Sequence, residues 1–136
     1  MIKFTPENIT ELKENEIFVF GSNLAGKNGA GAALLASKKF GAEYGVGEGL
    51  TGNCYAFPTK DKNIKTLPLS EIEKVINRFY LCVAANPDYK FLLTKVGCGL
   101  ANYSPKEIAP LFAQFKYIPP NIIFPKEFYE IIYAHK

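Results

Sequence analysis

The feature that most constrains the fold is an apolar segment that ends abruptly at a glycine-rich loop. Residues 17–20 are consecutive apolar residues, a pattern typical of a strand that is covered on both faces. A polar loop begins at Gly21, and the small residues of segment 29–40 then predict a helix that ends before Gly41. Backbone N–H groups at the start of a helix have no partner within the helix and can bind an anion. The sequence therefore predicts a strand, an anion-binding loop and a helix in succession.

A second strand also runs into a glycine loop. Residues 91–96 are the second clear strand, and Gly97, Cys98 and Gly99 follow it directly. Ligands of open α/β sheets bind at the carboxyl ends of the strands, so we expect the two loops to hold a phosphorylated ligand between them. Glycine lets a ligand approach the backbone closely, although glycine at a strand-to-helix turn also occurs for geometric reasons alone. Neither loop has the spacing of a P-loop or of a dinucleotide-binding fingerprint.

The rest of the chain predicts strands and helices in alternation. Further strands are expected at residues 55–57 and 121–124, and further helices after Ser70, after Ser104 and at residues 127–134. Pro58 is expected to end the first of these strands. The alternation predicts an α/β fold with a mostly parallel central sheet. Because the chain has 136 residues and neither a repeat nor a linker, residues 1–136 are expected to form one domain.

Composition argues against two classes of partner. The apolar fraction is 48%, the charged fraction is 21%, and the net charge of +3 includes 16 basic residues scattered along the chain. A dedicated nucleic-acid binder concentrates its positive charge on one face, so nucleic acid is not the expected partner. No signal peptide and no apolar run of membrane-spanning length is found, so no membrane partner is expected.

The cysteines predict the compartment. Cys54, Cys82 and Cys98 lie far apart and have neither the spacing of metal ligands nor the even number of a disulfide framework. A reducing compartment fits this usage, so a cytoplasmic location is predicted. No metal and no cofactor are expected.

Four segments follow one another in the order of a known family. They are Glu7-Asn8-Ile9-Thr10, the strand that leads to Asn23 and a glycine run, residues 47–58 with Thr51-Gly52 and Tyr55, and the loop 97–103. This order resembles the macro domain, which binds ADP-ribose and related nucleotides, and in particular the short macro-like proteins of bacteria and phages. The resemblance covers nearly the whole chain. The order of the segments is specific, whereas each motif alone is not.

The resemblance implies a three-layer α/β/α fold and a pocket for ADP-ribose or a related nucleotide. In the family, the first glycine loop contacts the distal ribose and the second loop wraps the diphosphate. By position, the implied ligand-binding residues are Asn8, Ile9, Gly21, Ser22, Asn23, Gly29, Ala30, Gly31, Gly97, Cys98, Gly99, Leu100, Ala101, Asn102 and Tyr103.

The chain departs from the family at three positions. Asn8 replaces the aspartate that reads adenine, and an amide adds a donor while it loses the charge. Ala30 stands where hydrolytic members have an aspartate, and a methyl group cannot activate water. Ala101 replaces an aromatic residue that would offer a surface to a ribose. We therefore expect binding, with hydrolysis of an ADP-ribosyl bond left open; a protein-interaction module without a nucleotide ligand is the alternative.

Asn23 and Glu48 are the candidate catalytic residues. Asn23 could orient a ribose hydroxyl or a water molecule, or it could simply stabilise a left-handed turn. Glu48, between Gly47 and Gly49, could act as a general acid or base, or it could be a solvated loop charge.

Other chemically capable side chains have simpler interpretations. Cys98 lies where a thiol pKa can be lowered, but no histidine is near it in the sequence, and a structural cysteine is the favoured interpretation. Tyr44, Tyr55 and Tyr103 could stack on a base or could belong to the core. His135 is interpreted as part of a frayed end.

Overall fold

A computed structural model describes residues 2–134, in which strands and helices alternate as predicted. His135 lies outside the described residues. The elements are β1 (Glu16–Asn23), α1 (Gly31–Lys39), β2 (Gly49–Thr51), β3 (Cys54–Lys60), α2 (Leu69–Ala85), β4 (Lys90–Leu93), α3 (Pro105–Phe112), β5 (Ile122–Ile123) and α4 (Lys126–Tyr133). Among these described helices, none is both long enough and apolar enough to cross a bilayer.

One five-stranded sheet organises the fold. The strand order is β2-β3-β1-β4-β5, and every neighbouring pair is parallel except β2 with β3. The predicted α/β class with a mostly parallel sheet is therefore confirmed. The short strand β2 was not predicted, because its three residues contain no apolar alternation and are held by pairing to β3.

Helices cover both faces of the sheet. On one face, the small residues Ala33 and Ala36 of α1 let the helix lie close to Phe18 and Phe20 of β1. On the other face, α2, α3 and α4 pack on a larger cluster that includes Val19. Consecutive residues of β1 thus point into opposite cores, which explains why the strand is apolar throughout.

The direction of the connections creates a crevice. The chain leaves β1 towards α1 on one face of the sheet, and it leaves β4 towards α3 on the other face. Since β1 and β4 are neighbours, the loops that follow them diverge at the carboxyl edge of the sheet. Such a point is where open α/β sheets bind ligands.

Several predicted element boundaries are wrong. Strand β1 does not end before Gly21 but continues to Asn23, and β4 ends at Leu93 rather than at Val96. Pro58 does not end its strand, because β2 pairs with β3 only up to Ala56 and Pro58 lies beyond the part of that edge that β2 pairs with. Ser70 is not the N-cap of α2: the cap is Pro68, whose carbonyl accepts the amides of Glu71 and Ile72. The capping box at Ser104 and Glu107 of α3 is confirmed.

Candidate functional site

A cavity of about 600 Å³ opens at the carboxyl ends of β1 and β4, between the two glycine loops. The carboxyl end of β1 lies close to the second glycine loop there: a Cβ atom added to Gly21 would lie 3.9 Å from the amide nitrogen of Gly97. Of the predicted site residues, Gly21, Ser22, Asn23, Gly29, Ala30, Gly31, Gly97, Cys98, Gly99, Leu100 and Ala101 line this cavity. The two loops that were singled out in the sequence therefore share one cavity.

The remaining predicted site residues do not line it. Asn8 and Ile9 line a second cavity of about 660 Å³, beneath the N-terminal segment on the α1 side of the sheet. The hydroxyl of Tyr103 donates a hydrogen bond of 2.7 Å to the carbonyl of Leu67, and Asn102 has a left-handed backbone with φ of 68°. The position that would read adenine by resemblance is thus separate from the glycine loops.

Backbone amide groups around the cavity are free to bind an acceptor. Among residues 2–134, the N–H groups of Gly29, Ala30, Gly31, Ala32, Ala33, Gly97, Gly99, Leu100 and Ala101 donate to no protein oxygen. Helix α1 has no side-chain cap and no acidic residue in its first turn, whereas α3 has Glu107 in its first turn. Uncapped amides and the positive end of the helix dipole both favour an anion in this cavity.

Three lysines add positive charge to the same cavity. Lys27, Lys60 and Lys95 line it, and no aspartate or glutamate is among its lining residues. Lys95 also pairs with Glu127, and this hydrogen bond raises the pKa of the ammonium group. Sequence reasoning missed these residues because basic residues occur throughout the chain. One shared feature could have identified the three lysines: each lies at or just after the carboxyl end of a parallel strand.

The hydroxyl groups of the cavity are used within the protein. Ser22 donates a hydrogen bond of 2.6 Å to the carbonyl of Gly47, and Thr94 donates one of 2.7 Å to the carbonyl of Val19. Thr59 donates to the carbonyl of Ser22 at 3.4 Å. The donors that remain for a ligand are therefore the backbone amides and the lysines.

Asn23 closes the first glycine loop. Its Nδ2 donates to the carbonyl of Lys27 at 2.9 Å, and its Oδ1 accepts the amide of Lys27 at 3.1 Å. The backbone of Asn23 is not left-handed, so the interpretation as a left-handed turn residue is wrong. Its amide group instead fixes the shape of the loop.

Glu48 lies away from the cavity. Its carboxylate accepts hydrogen bonds from Nε and Nη2 of Arg78 on α2, at 2.8 and 3.1 Å. It is thus an ion-paired residue, and it is not positioned to act on a ligand between the glycine loops.

The long loop that carries Glu48 supports the first glycine loop. The amide of Gly45 donates to the carbonyl of Gly26 at 2.8 Å. The backbones are so close that a Cβ atom on Gly26 would lie 2.3 Å from the carbonyl carbon of Gly45. Glycine is required at this crossing because no side chain fits between the two loops.

The cysteine and tyrosine candidates fall into structural positions. Burial raises the pKa of the Cys98 thiol to about 11, so the thiol is protonated at neutral pH, as a structural cysteine should be. Tyr55 is buried in the larger core, whereas Tyr44 is largely exposed and lies outside the cavity lining. Within residues 2–134, no three His, Cys, Asp or Glu side chains converge on a point that could hold a metal ion.

Asn28 is a feature of the first loop that sequence reasoning missed. Its side chain is buried, and neither Oδ1 nor Nδ2 has a hydrogen-bond partner within the described chain. An unpaired buried polar group costs about 1–3 kcal/mol. The loop therefore contains a buried amide group without a hydrogen-bond partner, between two residues that line the cavity.

Comparisons with protein-family models, with curated proteins and with solved structures find no match to this chain. A function must therefore be inferred from the chemistry of the cavity.

Proposed function

We propose that this protein binds ADP-ribose or a related nucleotide in the cavity between its two glycine loops. The observation that carries the proposal is the concentration of free backbone amides and three lysines around one cavity that no carboxylate lines. A diphosphate is the ligand group that such a set of donors suits best. A volume of about 600 Å³ lies within the usual range for small-molecule sites.

In this proposal, the fold is a three-layer α/β/α domain of the macro type. Helices on both faces of a mostly parallel sheet support that assignment. The second loop, through Gly97, Gly99 and Ala101, would donate amides to the diphosphate. The first loop, around Gly29 and the start of α1, would hold the distal ribose or a further phosphate.

Binding, rather than hydrolysis, is the proposed activity. Ala30 has no group that could activate water, and Glu48 is paired with Arg78 outside the cavity. The amide of Asn23 is engaged with the backbone of Lys27. Hydrolysis of an ADP-ribosyl bond would have to use a phosphate of the substrate itself as the base.

The cytoplasm is the proposed location. Cys54, Cys82 and Cys98 are all free thiols, and thiols persist in a reducing compartment.

Calorimetric titration with ADP-ribose tests the proposed function, and Gly99→Glu is the most informative variant. A Cβ atom at Gly99 meets no atom within 4 Å, so a side chain fits there without disturbing the fold. The new carboxylate would repel a diphosphate, and we expect affinity to fall at least about tenfold. Gly99→Lys is the matched control, because it adds similar bulk with the opposite charge and should retain or improve binding.

The outcomes separate ligand identity from site location. Absence of heat and of any thermal shift at millimolar ADP-ribose would exclude that ligand and favour the protein-interaction module. If ADP-ribose binds and both Gly99 variants bind equally well, the diphosphate does not lie along the second loop.

A further inference from the structure

Two exposed aliphatic side chains line the cavity beside its polar donors. Ile64 is 41% exposed and Leu100 is 66% exposed, and both belong to the cavity lining. We call this pair the apolar rim. Exposed aliphatic groups next to backbone amides and lysines offer a ligand two kinds of surface, one for charge and one for an apolar ring.

Ile64 is held in a conformation that isoleucine rarely adopts. Its φ angle is 63°, in the left-handed region, where a branched Cβ is unfavourable and where glycine or asparagine would be less strained. Backbone strain of this kind is concentrated at ligand-binding and active sites. Ile64 is therefore a candidate binding residue, because this strained residue lies on the cavity lining.

The turn that carries Ile64 is fixed by Asp61. One carboxylate oxygen of Asp61 accepts the amides of Asn63 and Lys65, at 2.8 and 3.0 Å. The backbone of Asp61 also pairs with the backbone of Lys65 and accepts the amide of Ile64. These hydrogen bonds hold the strained residue in place without a ligand.

The same turn is tied to the second glycine loop. The hydroxyl of Thr66 donates to the carbonyl of Ala101 at 3.2 Å, next to Leu100. Thr66 lies two residues after Ile64, and Ala101 lies one residue after Leu100. This hydrogen bond therefore joins the two segments directly. The apolar rim is a fixed surface adjoining the free amides of the second loop.

We propose that the apolar rim of Ile64 and Leu100 binds the nucleobase of the ligand. The inference rests on the proposed function, and it assigns the base to the glycine-loop cavity rather than to the separate cavity of Asn8 and Ile9. The flat face of a purine packs against aliphatic side chains, while its diphosphate reaches the adjoining amides. Packing against the face of the ring favours a ligand that has a base, although it makes no hydrogen bond to the edge of that base. Purine nucleotides should therefore bind better than sugar phosphates that lack a base.

The first test uses Ile64→Gly with two ligands, ADP-ribose and inorganic pyrophosphate. Glycine relieves the left-handed strain, so the variant should unfold at the same temperature as the wild type or higher. Affinity for ADP-ribose should fall about tenfold because the base loses its apolar contact. Affinity for pyrophosphate should not change. Asn15→Gly is the matched control, since Asn15 also has a left-handed φ of 66° but lies outside the cavity lining.

The second test compares Leu100→Ala with Leu81→Ala. These two leucines are equally exposed, at 66% and 65%, but only Leu100 lines the cavity. Leu100→Ala should weaken ADP-ribose severalfold and leave pyrophosphate unaffected, whereas Leu81→Ala should change neither.

The results distinguish failure of this inference from failure of the proposed function. If the wild type binds ADP-ribose and the Ile64 and Leu100 variants bind it equally well, the apolar rim does not hold the base, although the nucleotide site stands. If the wild type prefers another purine nucleotide and the variants weaken that one, the rim is supported and ADP-ribose is replaced as the ligand. If the wild type binds pyrophosphate and binds no nucleotide more tightly than pyrophosphate, the inference that the apolar rim holds the base is overturned.

Discussion

Single residues of the first glycine loop illustrate how differently two asparagines can contribute. Asn23 uses both ends of its amide to bind the backbone of Lys27, and it stabilises the loop. Asn28 is more deeply buried than Asn23, but its amide has no partner among residues 2–134. Burial alone therefore does not indicate that an asparagine contributes to stability.

Asn28→Ala should leave the free energy of unfolding unchanged or increase it. The substitution removes a polar group whose burial costs about 1–3 kcal/mol, and no described hydrogen bond is lost. Thermal or urea unfolding of the free protein measures the effect.

Asn121→Ala is the control for this prediction. Asn121 donates from Nδ2 to the carbonyls of Val83, Asn86 and Tyr89, so its loss should cost about 2 kcal/mol. If Asn28→Ala is as destabilising as Asn121→Ala, Asn28 has a partner such as a buried water molecule.

At the scale of elements, the segment between α1 and β3 acts as a support for the first glycine loop. Ser22 donates to the carbonyl of Gly47, and Gly45 donates to the carbonyl of Gly26. The ion pair of Glu48 with Arg78 connects the same segment to α2. The length of this loop is explained by these contacts, without a catalytic role.

Gly47→Ala should destabilise the protein through this support. A Cβ atom at Gly47 would lie 2.7 Å from the carbonyl oxygens of Asn23 and Leu24, so one of the two loops must move. Overpacking of this kind costs about 1–3 kcal/mol, and urea unfolding should report it. Gly29→Ala is the comparison, since its Cβ atom would meet nothing within 4 Å and should cost little. Equal stability of the two variants would contradict the supporting role.

At the scale of the whole molecule, buried thiols link stability to alkaline pH. Burial raises the pKa of Cys54 to about 12 and that of Cys98 to about 11, from an ordinary value of 9.0. Above pH 9.0 the unfolded chain releases these protons and the folded chain retains them. The unfolded state then binds fewer protons, so the free energy of unfolding falls as pH rises. The full contribution of these two buried thiols to the free energy of unfolding is present only below about pH 9.

Urea midpoints measured from about pH 8 to about pH 10.5 should therefore decrease. Cys98→Ser removes one of the titrating thiols with little change in volume, and it should make this decrease shallower. An unchanged slope in the variant would show that Cys98 titrates alike in both states.

The sequence predicted the architecture better than the site. Residues 17–20 and 91–93 are apolar without interruption, so their strands and the edge where they end could be found from the pattern alone. The hydrogen-bond partners of Asn23 and Glu48 could not be predicted. Lys27 is placed beside Asn23 by the conformation of the loop, and Arg78 is placed beside Glu48 by the position of α2. Ile64 was missed for a related reason: its left-handed φ contradicts the preference of isoleucine and follows from the hydrogen bonds of Asp61.

The central position of β1 has a consequence for how the chain acquires its fold. This strand comes first in the sequence, yet its two neighbours are β3 and β4, and Glu16 pairs with Lys90. During synthesis, the apolar residues of β1 emerge before the residues of β3 and β4 with which they pair. Parallel pairing across such separations is slow, because the chain must close long loops before any contact is gained. We therefore expect the apolar residues of β1 to stay unpaired until β3 and β4 have been synthesised.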